Sequence, residues 1–553
     1  MPIQSANPPD IITIDQFKGL NQQSSRSTID DQELWWNENL YAVAPGQLRS
    51  CWGPSAPIYT APAGVSIVRT FFGYYGYPTT IFTEPPPGRM GWMFLSDGTV
   101  DEVDLDTQAV VHLGQIWQPK PPYYFADAVV WRPKFFGNVA GQSGGVLFGS
   151  PQGMYAWDGI TMYAPGQPAP DWLTSANEQP TVSTVMPTGL PGIIAMAVYQ
   201  GRAWVMGESV ISFSAVANGA DFSVAGGGGS FGYSGDVLTT TYRDMRASAG
   251  YLYVFGDSST DLISNVITFG DGSTTPFTTQ FNYQNLDPMV GHGFPRKVGH
   301  DGRYSLMATG ARPYPSTGQT VNSGQGVWLM RGGDAESIGQ KVTNIWMTLD
   351  SSQYYPTFAT VTMFGRRIVL LNGLFVDPWG VKRNLILGYD GIAWTVFSQG
   401  NLTNIGYVEQ DSICDAYGTD GTHLFHLFNN PDNTLVKKLS TKAVKGKGPL
   451  AHLSINNWKR MFVELHDKTS LIYSAHTGFG VALTGTVTTS GGGVPNGVQD
   501  VAFQLAPGTL DGIEAQPLSG QGIMAAIDMQ SLSPDFVIER IHLSAEARTL
   551  FGA

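Results

Sequence analysis

Charge is scarce in this chain. Asp, Glu, Lys and Arg make up only 14% of its 553 residues, against roughly 25% in an average soluble domain, too few to cover an isolated monomer. Interface cores are depleted in charge and enriched in Tyr, Trp, Phe and Met, so the 12% aromatic content points to surface buried against other chains. Cysteine is nearly missing too. Cys51 and Cys414, far apart, exclude a disulfide framework and fit two free thiols in a reducing cytosol, with a single bridge as the alternative. No stretch approaches the ~18 apolar residues of a membrane span, and Met1–Pro9 has neither a basic n-region nor an apolar h-region. The chain is therefore expected to be neither membrane-embedded nor exported by a signal peptide. A basic excess is absent as well: 31 Lys and Arg face 44 Asp and Glu, for a net charge of −13. That argues against the basic face of a tight DNA binder. An acidic wall would instead repel phosphate and let DNA pass without sticking.

What is present is turn and strand. The chain holds 67 glycines and 35 prolines, interleaved with short runs of Thr, Val, Tyr, Phe and Ile, the composition of many short strands and tight turns. A unit recurs in which an apolar strand, a two-residue turn ending in Gly and a second strand follow one another. It appears at Phe94–Val100, Met154–Thr161, Val198–Val205, Ser248–Phe255, His300–Leu306, Met363–Leu370, Gly388–Thr395 and Tyr417–Leu424. Asp-Gly at its centre predicts type I′ hairpins, which need positive φ at both central residues. The first several units lie roughly 40–60 residues apart, the period of four-stranded propeller blades. The expected fold is therefore all-β: a β-propeller over residues 61–450, an additional β-rich, sandwich-like domain over 451–553, and an N-terminal arm over 1–60. In that arm Phe17, Leu20, Trp35 and Trp36 are the candidates for inter-subunit contact. A β-sandwich or a string of unrelated hairpins is the alternative to the propeller.

Candidate chemistry is thin. Lys437, Lys438, Lys442, Lys445 and Lys447 form a basic run in an acidic chain, read either as a solvated hairpin loop or as a loop aimed at DNA phosphate or an acidic partner. Gly226–Gly232 lacks the Gly-Lys-Ser/Thr ending of a phosphate-binding loop and is expected to be a flexible loop. His423, His426, Cys414 and Asp415 suggest a metal cluster only until strand alternation is considered, since residues three apart point to opposite faces. Asp101, Glu102, Asp104 and Asp106 lack the late Glu of a calcium loop and read as a solvated strand edge. Tyr389–Trp394 resembles the Asp-box turn of sialidases faintly, but Gly388 and Ile392 stand where that motif has Ser and Gly. Paired carboxylates of glycoside hydrolysis show no local spacing. No catalytic residue, metal or cofactor is expected.

One resemblance has order and spacing behind it. Ile12–Asn21, with its Phe17-Lys18-Gly19-Leu20-Asn21 phrase, is followed by Trp36-Asn37-Glu38-Asn39-Leu40 and by Gly46–Gly53. Ala197–Val205 then leads to Ile211–Ser214, Ala220-Asp221-Phe222 and Ala249–Thr260. Together these resemble tail proteins of short-tailed bacteriophages of the nozzle type, also described as tail tubular protein B or packaged-DNA stabilisation protein. The chain departs from that pattern after Thr260, where Leu262-Ile263-Ser264 stands in place of an aromatic residue. The resemblance implies a structural virion protein, made in the bacterial cytoplasm and placed in the tail. Six copies would form a ring beneath the head-tail adaptor, continue the DNA channel without sequence-specific binding, and carry tail fibre or spike and needle proteins. The competing expectation is a glycan- or receptor-binding propeller at the virion surface, marked by an exposed aromatic platform. A propeller glycoside hydrolase is the third.

Overall fold

The structure, a computed structural model, describes residues 10–75, 88–118, 126–131, 144–174, 185–232, 242–248, 250–256, 260–270, 275–285, 299–300, 306–309, 327–350, 357–410, 412–431, 434–445, 455–466, 470–477, 483–488, 499–503, 521–522 and 524–548. Seven four-stranded antiparallel units dominate it, and they are the blades of a propeller. Blade 1 comprises Ile67–Tyr75, Gly88–Leu95, Thr99–Asp104 and Val110–Gln115; blade 2, Asp127–Trp131, Gly145–Ser150, Gly153–Trp157 and Met162–Tyr163. Blade 3 is Ala195–Tyr199, Arg202–Met206, Val210–Phe213 and Gly229–Gly232; blade 4, Tyr242–Ser248, Tyr251–Gly256, Thr260–Phe269 and Thr278–Asn285. Blade 5 has Gly299–His300, Leu306–Thr309, Val327–Arg331 and Asp334–Ser337; blade 6, Thr357–Met363, Arg366–Val376, Lys382–Tyr389 and Trp394–Phe397. Blade 7 takes Asn404–Gln410, Ile413–Thr419 and His423–His426 from late in the chain and Tyr59–Thr60 from early in it. First strands lie side by side around the hub from blade 1 to blade 4 and from blade 5 to blade 7, and blade 7 meets blade 1.

Strand alternation builds the ring. Successive residues of a strand face opposite sides, so each blade feeds two interfaces. In blade 2, Val146 and Phe148 pack toward blade 1 with Trp92 and Phe94, whereas Leu147 packs toward blade 3 with Val205 and Met196. Blade 1 repeats the pattern, since Met93 and Leu95 turn back to Tyr417 and Leu424 of blade 7. A separate apolar cluster fills every one of the seven junctions.

The Asp-Gly turns differ from expectation. Gly98, Gly159, Gly391 and Gly421 have positive φ, but Asp97, Asp158, Asp390 and Asp420 do not. Each Asp carboxylate instead accepts from the amide two residues on, and Asp158, Asp390 and Asp420 from the third as well. These are Asx turns, in which the side chain closes the loop and only Gly goes left-handed. Gln200-Gly201 and Phe364-Gly365 have both φ values positive. For His300–Leu306, the turn at Asp301-Gly302 lies outside the described residues.

The N-terminal segment is not an arm. Leu34–Glu38 joins Lys437–Thr441, Met524–Ser531, Ser470–Thr477 and Leu483–Thr488 in one layer, with Val444–Lys445 beside Met524–Ser531, and that layer continues from the outer strand of blade 6 to make ten strands. Asp10–Ile14, Leu40–Ala44 and Gln47–Ser50 join Val537–Arg548, Ile455–His466, Gln499–Phe503 and Gln521–Gly522 in the other. Between the layers, Ile12, Ile14, Leu48, Val463, Ile538 and Leu543 meet Leu34, Leu439, Leu471, Ile527 and Met529. The second domain is thus a sandwich made from both ends of the chain, seamed to blade 6. Asn39, with φ 56°, marks the crossing between layers. Its side chain donates to Ser398 Oγ at 2.8 Å and Val436 O at 2.9 Å, and accepts from Ser398 N at 2.9 Å.

Candidate functional site

Above the seam, one face of the ten-stranded sheet is left open beneath an overhanging tryptophan. Cross-strand register sets two rows on that face: Glu38, Lys438, Gln530 and Ile472 in one, and Trp36, Ser440, Asp528 and Ser474 in the other. Their alternates, Leu439, Met529 and Tyr473, point into the sandwich core. Trp379 hangs over the rows from the hairpin between two strands of blade 6, and a cavity of about 380 Å³ opens beside it.

The hairpin is held firmly. Asp377 Oδ1 accepts from Trp379 N at 3.0 Å and Val381 N at 2.9 Å, and Gly380 turns with φ +85°. Asp377 Oδ2 accepts from Arg383 Nε at 3.0 Å, and Arg383 grips buried Glu38 with both terminal nitrogens at 2.5 and 2.7 Å. Burial alone would lower the guanidinium's pKa, but Glu38 and Asp377 hold it raised. Glu38 also accepts from Trp36 Nε1 at 3.1 Å. Trp35 and Trp36 brace the Trp379 ring edge-on at centroid distances of 6.1 and 5.7 Å. Lys438 Nζ lies 5.1 Å from its centroid, within cation–π range. Trp379 remains 47% exposed and Ile472 46%. On the rim, Asp528 pairs with Arg26 at 2.7 Å and His476 at 2.9 Å.

Of the two residue sets expected from sequence, Lys438 from one and Trp35 and Trp36 from the other meet here, in altered roles. Lys437 and Lys438 lie in a strand, not a loop, because they complete the ladder between Leu34–Glu38 and Met524–Ser531; Lys445 belongs to the short strand Val444–Lys445. Lys437 is buried, and desolvation pushes its amine down to about 8. Lys442 pairs with Asp31 at 2.6 Å, Lys445 is exposed, and Lys447 lies outside the described residues. Phe17, Leu20 and Trp36 are buried within their own chain, in the sandwich and blade 6 cores, so none is free for a neighbour; Trp35 is half-buried against Trp379. Trp379 itself was not singled out, since a lone Trp in Asp-Pro-Trp-Gly carries no periodic signal; the turn residues around it were the available clue.

Other sequence candidates disperse. Asp101 and Glu102 are buried, not a solvated edge, because their strand sits inside blade 1: Asp101 accepts from Tyr59 Oη at 2.6 Å, and Glu102 from Trp92 Nε1 at 2.7 Å and Trp157 Nε1 at 2.9 Å. Gly229–Gly232 is the outer strand of blade 3 rather than a flexible loop. Buried Arg202 donates to Gly227 O at 2.8 Å and Ser214 O at 2.5 Å, and burial draws its pKa down to about 10. His423 pairs with Asp420 of its own turn at 3.0 Å, whereas His426 stacks on Tyr417 at 4.7 Å and faces Asp415 at 3.6 Å. Cys51 and Cys414 are buried, and no disulfide joins them. At the hub, Arg246 of blade 4 reaches Tyr407 of blade 7; despite desolvation, Tyr407, Asp127 and Asp244 keep its pKa raised. A second cavity of about 660 Å³ lies beside blade 3, lined by Met186, Pro191, Ser212, Asp221 and Ser230 among others.

No family model matches the chain, and no curated protein sequence matches it. Among solved structures, the N-terminal domain of Nup159 is 10% identical, covering 77% of this chain and 96% of that one, with a TM-score of 0.30. An exo-β-1,3-galactanase from Phanerochaete chrysosporium, with galactose, is 12% identical over 89% and 99%, at 0.19. The Trypanosoma rangeli sialidase in complex with the inhibitor DANA is 10% identical over 98% and 96%, at 0.26. At such scores the likeness carries no argument, and the propeller stands on its own seven sheets.

Proposed function

We propose that this chain is a structural protein of a short-tailed phage tail, the nozzle subunit. Six copies would form a ring below the head-tail adaptor, retain packaged DNA and pass it at ejection. The observation that carries the reading is where the resembling phrases fall. Residues 12–53 thread both sandwich layers and their seam with blade 6, through Phe17, Leu20, Trp36 and Asn39. They are framework residues. A propeller joined to a sandwich by one continuous sheet is a stiff strut, suited to a subunit that must keep its shape under load. In such a ring the passage for DNA would run between subunits rather than through a propeller. The low charge content agrees with large heterologous contacts around a ring. No catalytic role is proposed.

Mass photometry of the full chain with its head-tail adaptor tests this. A six-copy ring is expected; monomer alone in the adaptor's presence overturns the reading.

A further inference from the structure

The Trp379 groove has a chemistry that ring formation does not call for. We infer that it is a saccharide-binding subsite that takes a carboxylate-bearing pyranose, such as a hexuronic acid residue of a surface polysaccharide. Half of the Trp379 side chain is exposed, and its position is set by the Asp377 turn and by Trp35 and Trp36, so little ordering is left for binding to impose. An indole offers a pyranose ring a flat apolar surface. Below it, Ser474 and Gln530 provide a hydroxyl and an amide that both donate and accept, as a ring of hydroxyls requires. The cavity of about 380 Å³ falls within the range of small-ligand sites.

Charge selects the acid. Asp528 is already engaged by Arg26 and His476, and Glu38 by Arg383, whereas Lys438 makes no ion pair among the described residues and rests only against the indole. Rotation of its flexible stem off the ring would bring the ammonium to a carboxylate while exposing the face for stacking. An extended peptide fits less well. The strands beneath, Lys437–Thr441, Met524–Ser531 and Ser470–Thr477, are each paired on both sides, so no main-chain edge is free to receive one.

The test is a titration of the full chain with trigalacturonate and with maltotriose, followed by calorimetry and ligand-observed NMR. Trigalacturonate is expected to bind with a Kd on the order of 1 mM or tighter, and maltotriose more weakly. Trp379→Ala should lose about tenfold or more for both, and Trp379→Phe less, with thermal midpoints near the parent's. Lys438→Gln should abolish the preference for the acid and leave maltotriose binding unchanged. Failure of both sugars to bind, or equal binding by Trp379→Ala, overturns the proposal. So does a Trp379→Ala variant that blocks adaptor-templated ring assembly while the parent ignores both sugars, because the groove is then a protein docking site. The titration needs no ring, so its failure is distinct from failure of the nozzle reading.

Discussion

At the scale of single residues, context reverses what residue type suggests. Five lysines within eleven positions look like one solvated basic loop, yet Lys437 is buried, Lys438 lies against an indole and Lys442 is paired with Asp31. Strand alternation separates them, and alternation could be applied only once a strand was recognised there. Lys437 gives a testable pH dependence. Its folded pKa of about 8 lies below the ordinary 10.5, so between those values the unfolded chain holds the proton that the native one has lost, and stability rises with pH. Between pH 7 and 9.5 the parent should gain stability relative to Lys437→Met, by up to about 2 kcal/mol if the full shift is expressed. Urea denaturation of both proteins at the two pH values measures it; parallel pH profiles would show that Lys437 does not titrate this way. The comparison with the variant matters because Tyr253, raised to about 12 by burial, contributes the opposite slope at higher pH.

At the scale of elements, the recurring strand-turn-strand units are genuine hairpins, but they occupy different places in their blades. Asp97-Gly98 joins the second and third strands of blade 1, Asp158-Gly159 the third and fourth of blade 2, and Gln200-Gly201 the first and second of blade 3. Period and all-β character were therefore legible, whereas blade phase was not, because any tight hairpin uses the same residues. Ring closure was also hidden: Tyr59–Thr60 reads as a fragment, and it becomes a strand only by pairing with Leu424 and His423. Tyr59 then reaches across to Asp101 of blade 1 at 2.6 Å. Replacing Tyr59 by Phe leaves that buried carboxylate short of a donor, at a cost of about 1–3 kcal/mol. Thr60→Pro should in addition break the closing strand. Limited proteolysis is expected to cut blade 7 of Thr60→Pro first, and an unchanged digestion pattern would show that closure does not depend on this strand.

At the scale of the whole molecule, the two chain ends form one domain. An arm could be deleted without unfolding the rest, but residues 10–50 supply Ile12, Ile14, Leu34 and Leu48 to the sandwich core. Removing residues 1–50 should therefore expose Leu439, Val463, Ile527 and Ile538, leaving 437–548 protease-sensitive while blades 1 to 5 stay protected. A deletion that remains resistant throughout would restore the arm. Local information was enough for the β class and the propeller period, because composition and turn chemistry act over a few residues. The sandwich's split origin, the closing strand and the Trp379 groove rest on contacts between positions hundreds of residues apart, such as Glu38 with Arg383 and Arg26 with Asp528. No local pattern encodes such pairs. They exist only where sheet register and burial, set by the packed fold as a whole, bring distant strands face to face.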